Sequence, residues 1–176
     1  MRGLSRSSRK PPRNISKGLR VATKVLVEAD LFPTEAEDKV REALFNVTGS
    51  RNFKRWSQGK RSYLTQEGDE SLLLRLRTLI RMERILDASR KIMRRGIQGS
   101  SIKFYVNKQV ASVGHLSFCQ ANGESPLGPI SFYISTDDPN SLIEWLATRT
   151  IDGVPVDELC QSGSRRFAPS VRPIRS

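Results

Sequence analysis

The periodicities along this chain predict an α+β two-layer sandwich, with a largely antiparallel sheet covered by helices on one face. Two observations carry that reading. Several segments alternate apolar and polar side chains at period two, as a strand does when one side is covered and the other open. Between them lie segments with apolar residues at helical spacing, and strands that neighbour in sequence usually pair antiparallel.

The first alternating segment runs from Val21 to Phe32, with Val21, Thr23, Val25, Val27, Ala29 and Leu31 on one side and Lys24, Glu28 and Asp30 among the others. Pro33 ends it. Thr34 and Glu37 have the spacing of a capping box for a helix through about Phe45 with Val40, Ala43 and Leu44 inward, and Gly49 stops that helix. Residues 52–57 and 61–66 form a short hairpin turning at Gln58-Gly59-Lys60, with Phe53, Trp56, Tyr63 and Leu64 as anchors. Three more alternating segments follow at 102–106, 115–120 and 129–135, and their polar faces carry Lys103, Tyr105, His115, Ser117, Ser131 and Tyr133. Asp138-Pro139 opens a last short helix with Leu142, Ile143, Trp145 and Leu146.

The longest helical pattern spans Asp69 to Gly96, with acids at its entrance and Arg90, Lys91, Arg94 and Arg95 in its last turns, the charge order that a helix macrodipole favours. At 100° per residue, Arg77, Arg81, Arg84, Lys91 and Arg95 fall on one stripe. The apolar residues do not keep a single face: Leu72, Leu76, Leu79 and Ile80 make one, and Ile85, Leu86, Ile92 and Met93 another rotated by more than a quarter turn. That shift predicts a kink, or two helices in series, near Met82 to Arg84.

The net charge of +12 invites a polyanionic partner, and its placement is uneven. Residues 1–20 hold seven bases and residues 161–176 four, with no acid in either segment, so the chain between is nearly neutral. Within it, residues 51–66 and 71–96 are basic, while 137–160 hold six acids and one base. Residues 1–19, rich in Ser, Arg and Pro, lack the apolar side chains that offset the entropy of ordering, and read as a disordered basic arm. Residues 20–160 read as one α+β domain and 161–176 as a flexible basic tail. No run approaches the length of a membrane span, and the basic start lacks an apolar signal core, which places the expected protein in the cytoplasm. Cys119 and Cys160 are too few for a disulfide scaffold, and with them and a single histidine, His115, no metal site is expected.

Phe32-Pro33-Thr34-Glu35, Arg84-Ile85-Leu86-Asp87 with Arg90-Lys91 and Arg95-Gly96-Ile97, Phe104-Tyr105-Val106-Asn107-Lys108-Gln109, and Leu127-Gly128-Pro129-Ile130 together resemble the archaeal uncharacterised protein family 0201. The resemblance covers roughly residues 21–156. It implies a fold like that of the large-subunit ribosomal proteins that bind 5S rRNA, and it implies no particular activity. An archaeal setting also permits an intracellular disulfide between the two cysteines.

No catalytic constellation emerges. Gly96-Ile97-Gln98-Gly99 lacks the lysine and serine of a phosphate loop, and Glu83 and Asp87 sit amid arginines that suit ion pairing. The expected protein is therefore not an enzyme, needs no cofactor and takes no evident small-molecule substrate. The sequence supports an RNA-binding module: basic ends for phosphate affinity, the stripe Arg77, Arg81, Arg84, Lys91 and Arg95 as a shaped contact surface, and Tyr105 and Tyr133 with Lys103 on the open sheet face for stacking. Asn107, Lys108 and Gln109, in an expected turn between strands, join that face as candidates. The alternative reading is a scaffold that pairs with another protein, or with a second copy as a homodimer, through the same open face.

Overall fold

The computed structural model describes residues 23–157, apart from positions 60, 122, 124, 152 and 153. The basic arm and tail expected at the two ends lie outside the described residues, as does Cys160. The elements are β1 (Thr23–Leu31), α1 (Glu37–Thr48), β2 (Lys54–Gln58), β3 (Arg61–Gly68), a 3-10 turn (Glu70–Leu73), α2 (Leu74–Met82), α3 (Leu86–Arg95), β4 (Ile97–Gln98), β5 (Ser101–Asn107), α4 (Lys108–Ser112), β6 (Phe118–Cys119), β7 (Pro129–Thr136), α5 (Pro139–Leu146), β8 (Thr150–Ile151) and β9 (Val154–Pro155).

Seven strands make one sheet, ordered β2-β3-β1-β7-β5-β4, with β6 also on β5, and every pairing in it is antiparallel. Strands β8 and β9 form a separate small hairpin. The period-two pattern sends Val25, Val27, Ala29, Leu64, Ile102, Phe104, Val106, Ile130, Phe132 and Ile134 to one face, where they are buried with apolar residues of the helices. Phe104 stacks on Phe132 with ring centroids 4.9 Å apart, in the middle of this core. The helices cover this face, as an α+β sandwich requires.

Three local expectations are corrected. The capping box does not form: α1 begins at Glu37 after Ala36, without a side-chain cap. Glu37 is instead held by Arg41 and by Arg55 of β2, while Glu35 folds back to accept from the Phe32 amide. The turn expected at Asn107 to Gln109 is the start of α4, which Asn107 caps by accepting from the amides of Gln109 and Val110. Helix α4 then consumes chain, so the strand expected at 115–120 shrinks to Phe118–Cys119. The basic hairpin β2–β3 lies at one sheet edge, while α3 packs on β5 and α5 towards the other, so its bases stand apart from the helical cation row.

The long helix is two helices, as the rotated apolar faces predict. Helix α2 ends in a double hydrogen-bonded reversal, with the Ile85 amide donating to the Ile80 carbonyl and the Arg84 amide to the Arg81 carbonyl. This is a Schellman stop, and the residue at its left-handed position is Arg84, with φ 56°. Helix α3 ends at Gly96, whose carbonyl accepts from the Lys103 amide. A Cβ on Gly96 would overlap the Lys103 carbonyl oxygen. Gly96→Ala is therefore expected to cost about 1–3 kcal/mol, the range for forcing atoms into a packed region, read as a lower urea midpoint with unchanged slope.

Candidate nucleic-acid interface

The expected cation stripe divides at the break. Arg77 is half-buried: its Nε donates to the Trp145 carbonyl at 2.8 Å and its guanidinium lies 5.1 Å from the centre of the Trp145 ring. Burial, and then the neighbouring charge of Arg81, push its pKa below the ordinary arginine value, and Asp157 opposes them. Arg81 pairs with Asp157 at 2.7 Å and donates to Thr148 Oγ1. These two arginines tie α2 to the acidic C-terminal stretch. In α3, Arg90 is buried and grips Glu144 with both terminal nitrogens, one of them 2.6 Å from Oε2, and also donates to the Ala147 carbonyl.

Beyond the break the picture changes. Arg84, Lys91 and Arg95 are exposed and have no hydrogen-bond or ion-pair partner among the described residues. Arg94, also exposed, reaches Glu144 only at 3.4 Å. Lys91, Arg94 and Arg95 line one shallow concavity with Arg90 and Asp87. Next to the break, His115 Nδ1 lies 2.7 Å from Glu83, which ties the loop after α4 to the end of α2.

The open sheet face is built in rows that the register fixes. One row runs Trp56, Tyr63, Asp30; the next Lys54, Thr65, Glu28, Ser131, Tyr105, Cys119; the next Glu67, Leu26, Tyr133, Lys103. Tyr105 and Tyr133 are brought together by Lys103, whose Nζ lies 5.3 Å and 4.7 Å from their ring centres. Hydrogen bonding to Tyr105, and less strongly to Tyr133, holds the Lys103 pKa above the ordinary lysine value against the effect of burial. Glu28, in the centre of the face, has its pKa raised by burial and by Asp30, with Lys103 opposing.

Lys108 does not share this face. It is buried, with Nζ donating to the Asp30 carbonyl and to Glu35 Oε2, both at 2.8 Å, and lying 5.4 Å from the Phe32 ring centre. Phe32, Glu35 and Lys108, brought together from distant parts of the sequence, thus form one cluster around the buried Lys108 amine. Gly128 closes over it, since a Cβ there would stand 3.1 Å from Asp30 Oδ2. Asn107 spends its side chain on the α4 cap, and Gln109 is exposed. Among the described residues, no group of three His, Cys, Asp or Glu side chains is placed to hold a metal, and no helix is long and apolar enough to cross a membrane.

The sequence reading missed the position of Trp56 and Tyr63. The hairpin pattern predicts them as anchors, but the register places both on the open face, stacked at 5.1 Å with 23° between planes. The available signal was Leu64: as the inward residue of β3, it sends Tyr63, and with it Trp56, outward.

A family model described as RNA binding matches residues 24–136. A protein of Sulfolobus acidocaldarius described as UPF0201 is 42% identical over 137 residues, covering 77% of this chain and 94% of that protein. The chain belongs to the UPF0201 family. A UPF0201 protein of Sulfurisphaera tokodaii is 41% identical over the same shares of the two chains. The crystal structure of a UPF0201 protein from Methanococcus jannaschii superposes with TM-score 0.64 at 28% identity, covering 76% of this chain and 98% of that one. A protein described as DUF54 from Methanothermobacter thermautotrophicus, 19% identical with TM-score 0.51 over 72% of this chain and 93% of that one, shares the fold.

In this UPF0201 chain, Arg84 holds a backbone conformation that costs an L-residue roughly 1–2 kcal/mol, at a helix stop where glycine is usual. Its exposed guanidinium makes no hydrogen bond or ion pair among the described residues in return. Arg84→Gly is therefore expected to stabilise the fold by about 1 kcal/mol, read as a higher melting temperature. A fall instead would mean that the side chain is held by something structural.

Proposed function

We propose that this UPF0201 chain is a non-catalytic RNA-binding module of the cytoplasm. The observation that carries the reading is the coincidence of two things: the span matched by the RNA-binding model, residues 24–136, holds the helix stripe, and three cations of that stripe, Arg84, Lys91 and Arg95, are exposed with no side-chain partner among the described residues. Cations paired within a fold contribute little to a polyanion, because their field is already spent on the partner carboxylate. Exposed cations without a carboxylate neighbour release counterions from RNA on contact. Arg94 adjoins them, and Arg77 and Arg81 act mainly to hold the C-terminal stretch. Arg84 fits a functional role for a second reason, since strained backbone persists where a side chain is needed at that point.

In this proposal the basic ends supply affinity without sequence preference, and the surface around the helix break supplies the ranking among RNAs. Eleven of the net twelve charges lie in residues 1–20 and 161–176. Each phosphate neutralised adds about 0.7–0.9 to the slope of log affinity against log salt. Removing residues 1–19 and 161–176 is expected to flatten that slope by several units and to weaken all RNAs alike, while the remaining chain keeps its ranking among structured RNAs. Arg84→Glu with Lys91→Glu and Arg95→Glu in the full chain is expected to erase the ranking with a melting temperature close to that of the unaltered chain. If the shortened chain binds no RNA at low salt, the proposal fails.

A second reading has an observation of its own. Glu28 and Asp30 stand in adjacent rows at the centre of the open face, and Lys103 already occupies the space between Tyr105 and Tyr133. Phosphates are repelled there, whereas a protein surface or a second copy of this chain suits it. Sedimentation separates the two readings: a dimer that Tyr133→Glu dissociates, without loss of RNA affinity, would assign this face to self-association.

A further inference from the structure

The open face is not uniform, and its β2–β3 margin differs from its centre. Trp56 keeps 44% of its surface exposed although Tyr63 stacks on it. Strand β2 is the last strand on its side of the sheet, and all five of its residues are exposed. One side of the indole is therefore backed by Tyr63, and the other meets no further strand. Tyr105 and Tyr133 share a lysine between them; Trp56 and Tyr63 share only each other.

The surroundings of the pair select a ligand. Lys54 lies two residues from Trp56 and Arg61 two residues from Tyr63, both on the open face. Because β2 and β3 are antiparallel, these cations stand at opposite ends of the ring pair, offset along the strands by four residues, or roughly 13 Å. Arg61 has no partner among the described residues, and Lys54 reaches Glu67 only at 3.4 Å between two exposed side chains, a weak pair. Asp30 borders Tyr63 on the inner side. A π surface open at the edge, a cation at each end and a carboxylate inward match a base with flanking phosphates, and they repel a backbone that turns across the sheet.

We infer that the Trp56–Tyr63 stack at the β2–β3 edge is a base-stacking site for single-stranded RNA, with Lys54 and Arg61 taking the phosphates on either side. An unpaired base continues the stack on the indole, and the strand runs along β2. Any base can do this, because every base has a π face, so the site distinguishes single strands from duplexes and not one sequence from another. A duplex keeps its bases inside and gains only the two cation contacts. The inference rests on the RNA-binding reading and adds to it which form of RNA is held, and where.

The test uses the full chain, a fluorescein-labelled single-stranded RNA without secondary structure and a duplex of the same length. Trp56→Ala is expected to weaken the single strand roughly tenfold, within the usual cost of losing one stacked base, and to leave the duplex within about twofold. Trp56→Phe, which keeps a ring, is expected to retain most of the affinity. The chain holds two tryptophans, so Trp145→Phe leaves Trp56 as the only one, and its emission is expected to be quenched by the single strand and not by the duplex. Single-strand binding that Trp56→Ala leaves unchanged, or that falls equally for both RNAs, overturns the stacking site while the RNA reading stands. A wild-type chain that binds neither RNA overturns both.

Discussion

Strand β1 is paired along both edges, to β3 and to β7, and this double pairing decides which side chains the chain can offer to a partner. The same register that puts Val25, Val27 and Ala29 opposite Ile134, Phe132 and Ile130 puts Leu26 opposite Tyr133 and Glu28 opposite Ser131. A slip of one residue would exchange the two faces, so burial of the first set fixes exposure of the second. Each core residue buried contributes on the order of 1.5–3 kcal/mol, far more than any contact on the open face, which therefore inherits its composition from the core. Tyr63 and Tyr133 lie two strands apart and, opposite Asp30 and Leu26, four residues apart along β1, roughly 10 Å across the strands and roughly 13 Å along them, with the Glu28 carboxylate between. Two aromatic groups separated by an acidic strand follow from one pairing.

The helical side obeys a different constraint. Residues 137–160 are acidic, and α2 and α3 meet them with their arginines. The Arg90–Glu144 and Arg81–Asp157 pairs, with Arg77 on the Trp145 carbonyl, fasten the C-terminal stretch to the helices. Arg90 is buried, so loss of Glu144 would leave its charge desolvated, while Arg81 and Arg77 are held by hydrogen bonds at the half-buried seam. The Schellman stop at Arg84 then turns α3, and Lys91 and Arg95 form no ion pair among the described residues, although Asp87 lines the same concavity. A row of five cations in sequence thus becomes two tethers and three exposed charges.

Much of the fold was legible because it rests on periodicity. The alternation in β1, β5 and β7, the stop at Gly49, the cap at Asp138 and the break near Arg84 are local signals that the tertiary structure obeys. What failed were competitions between local partners. Glu37 forms no capping box because Arg41 and Arg55 reach it, and Arg55 is far away in sequence. Helix α4 resembles a turn in sequence because five residues are too few to show a period, and only Asn107 marks its start. The candidate site was half legible. The charges could be counted, but whether an arginine is spent depends on Glu144 and Asp157, more than 50 residues on. The Trp56–Tyr63 face was hidden because β2 has no inward apolar residue to orient it.

In the function proposed above, the folded part of this UPF0201 chain, and not only its basic ends, holds RNA. Ultraviolet crosslinking of the full chain to single-stranded and structured RNA, followed by mass spectrometry of the joined peptides, tests it most directly. Crosslinks are expected at Trp56 or Tyr63 with the single strand, and in the segment from Arg84 to Arg95 with structured RNA. Crosslinks confined to residues 1–22 and 158–176 would contradict it.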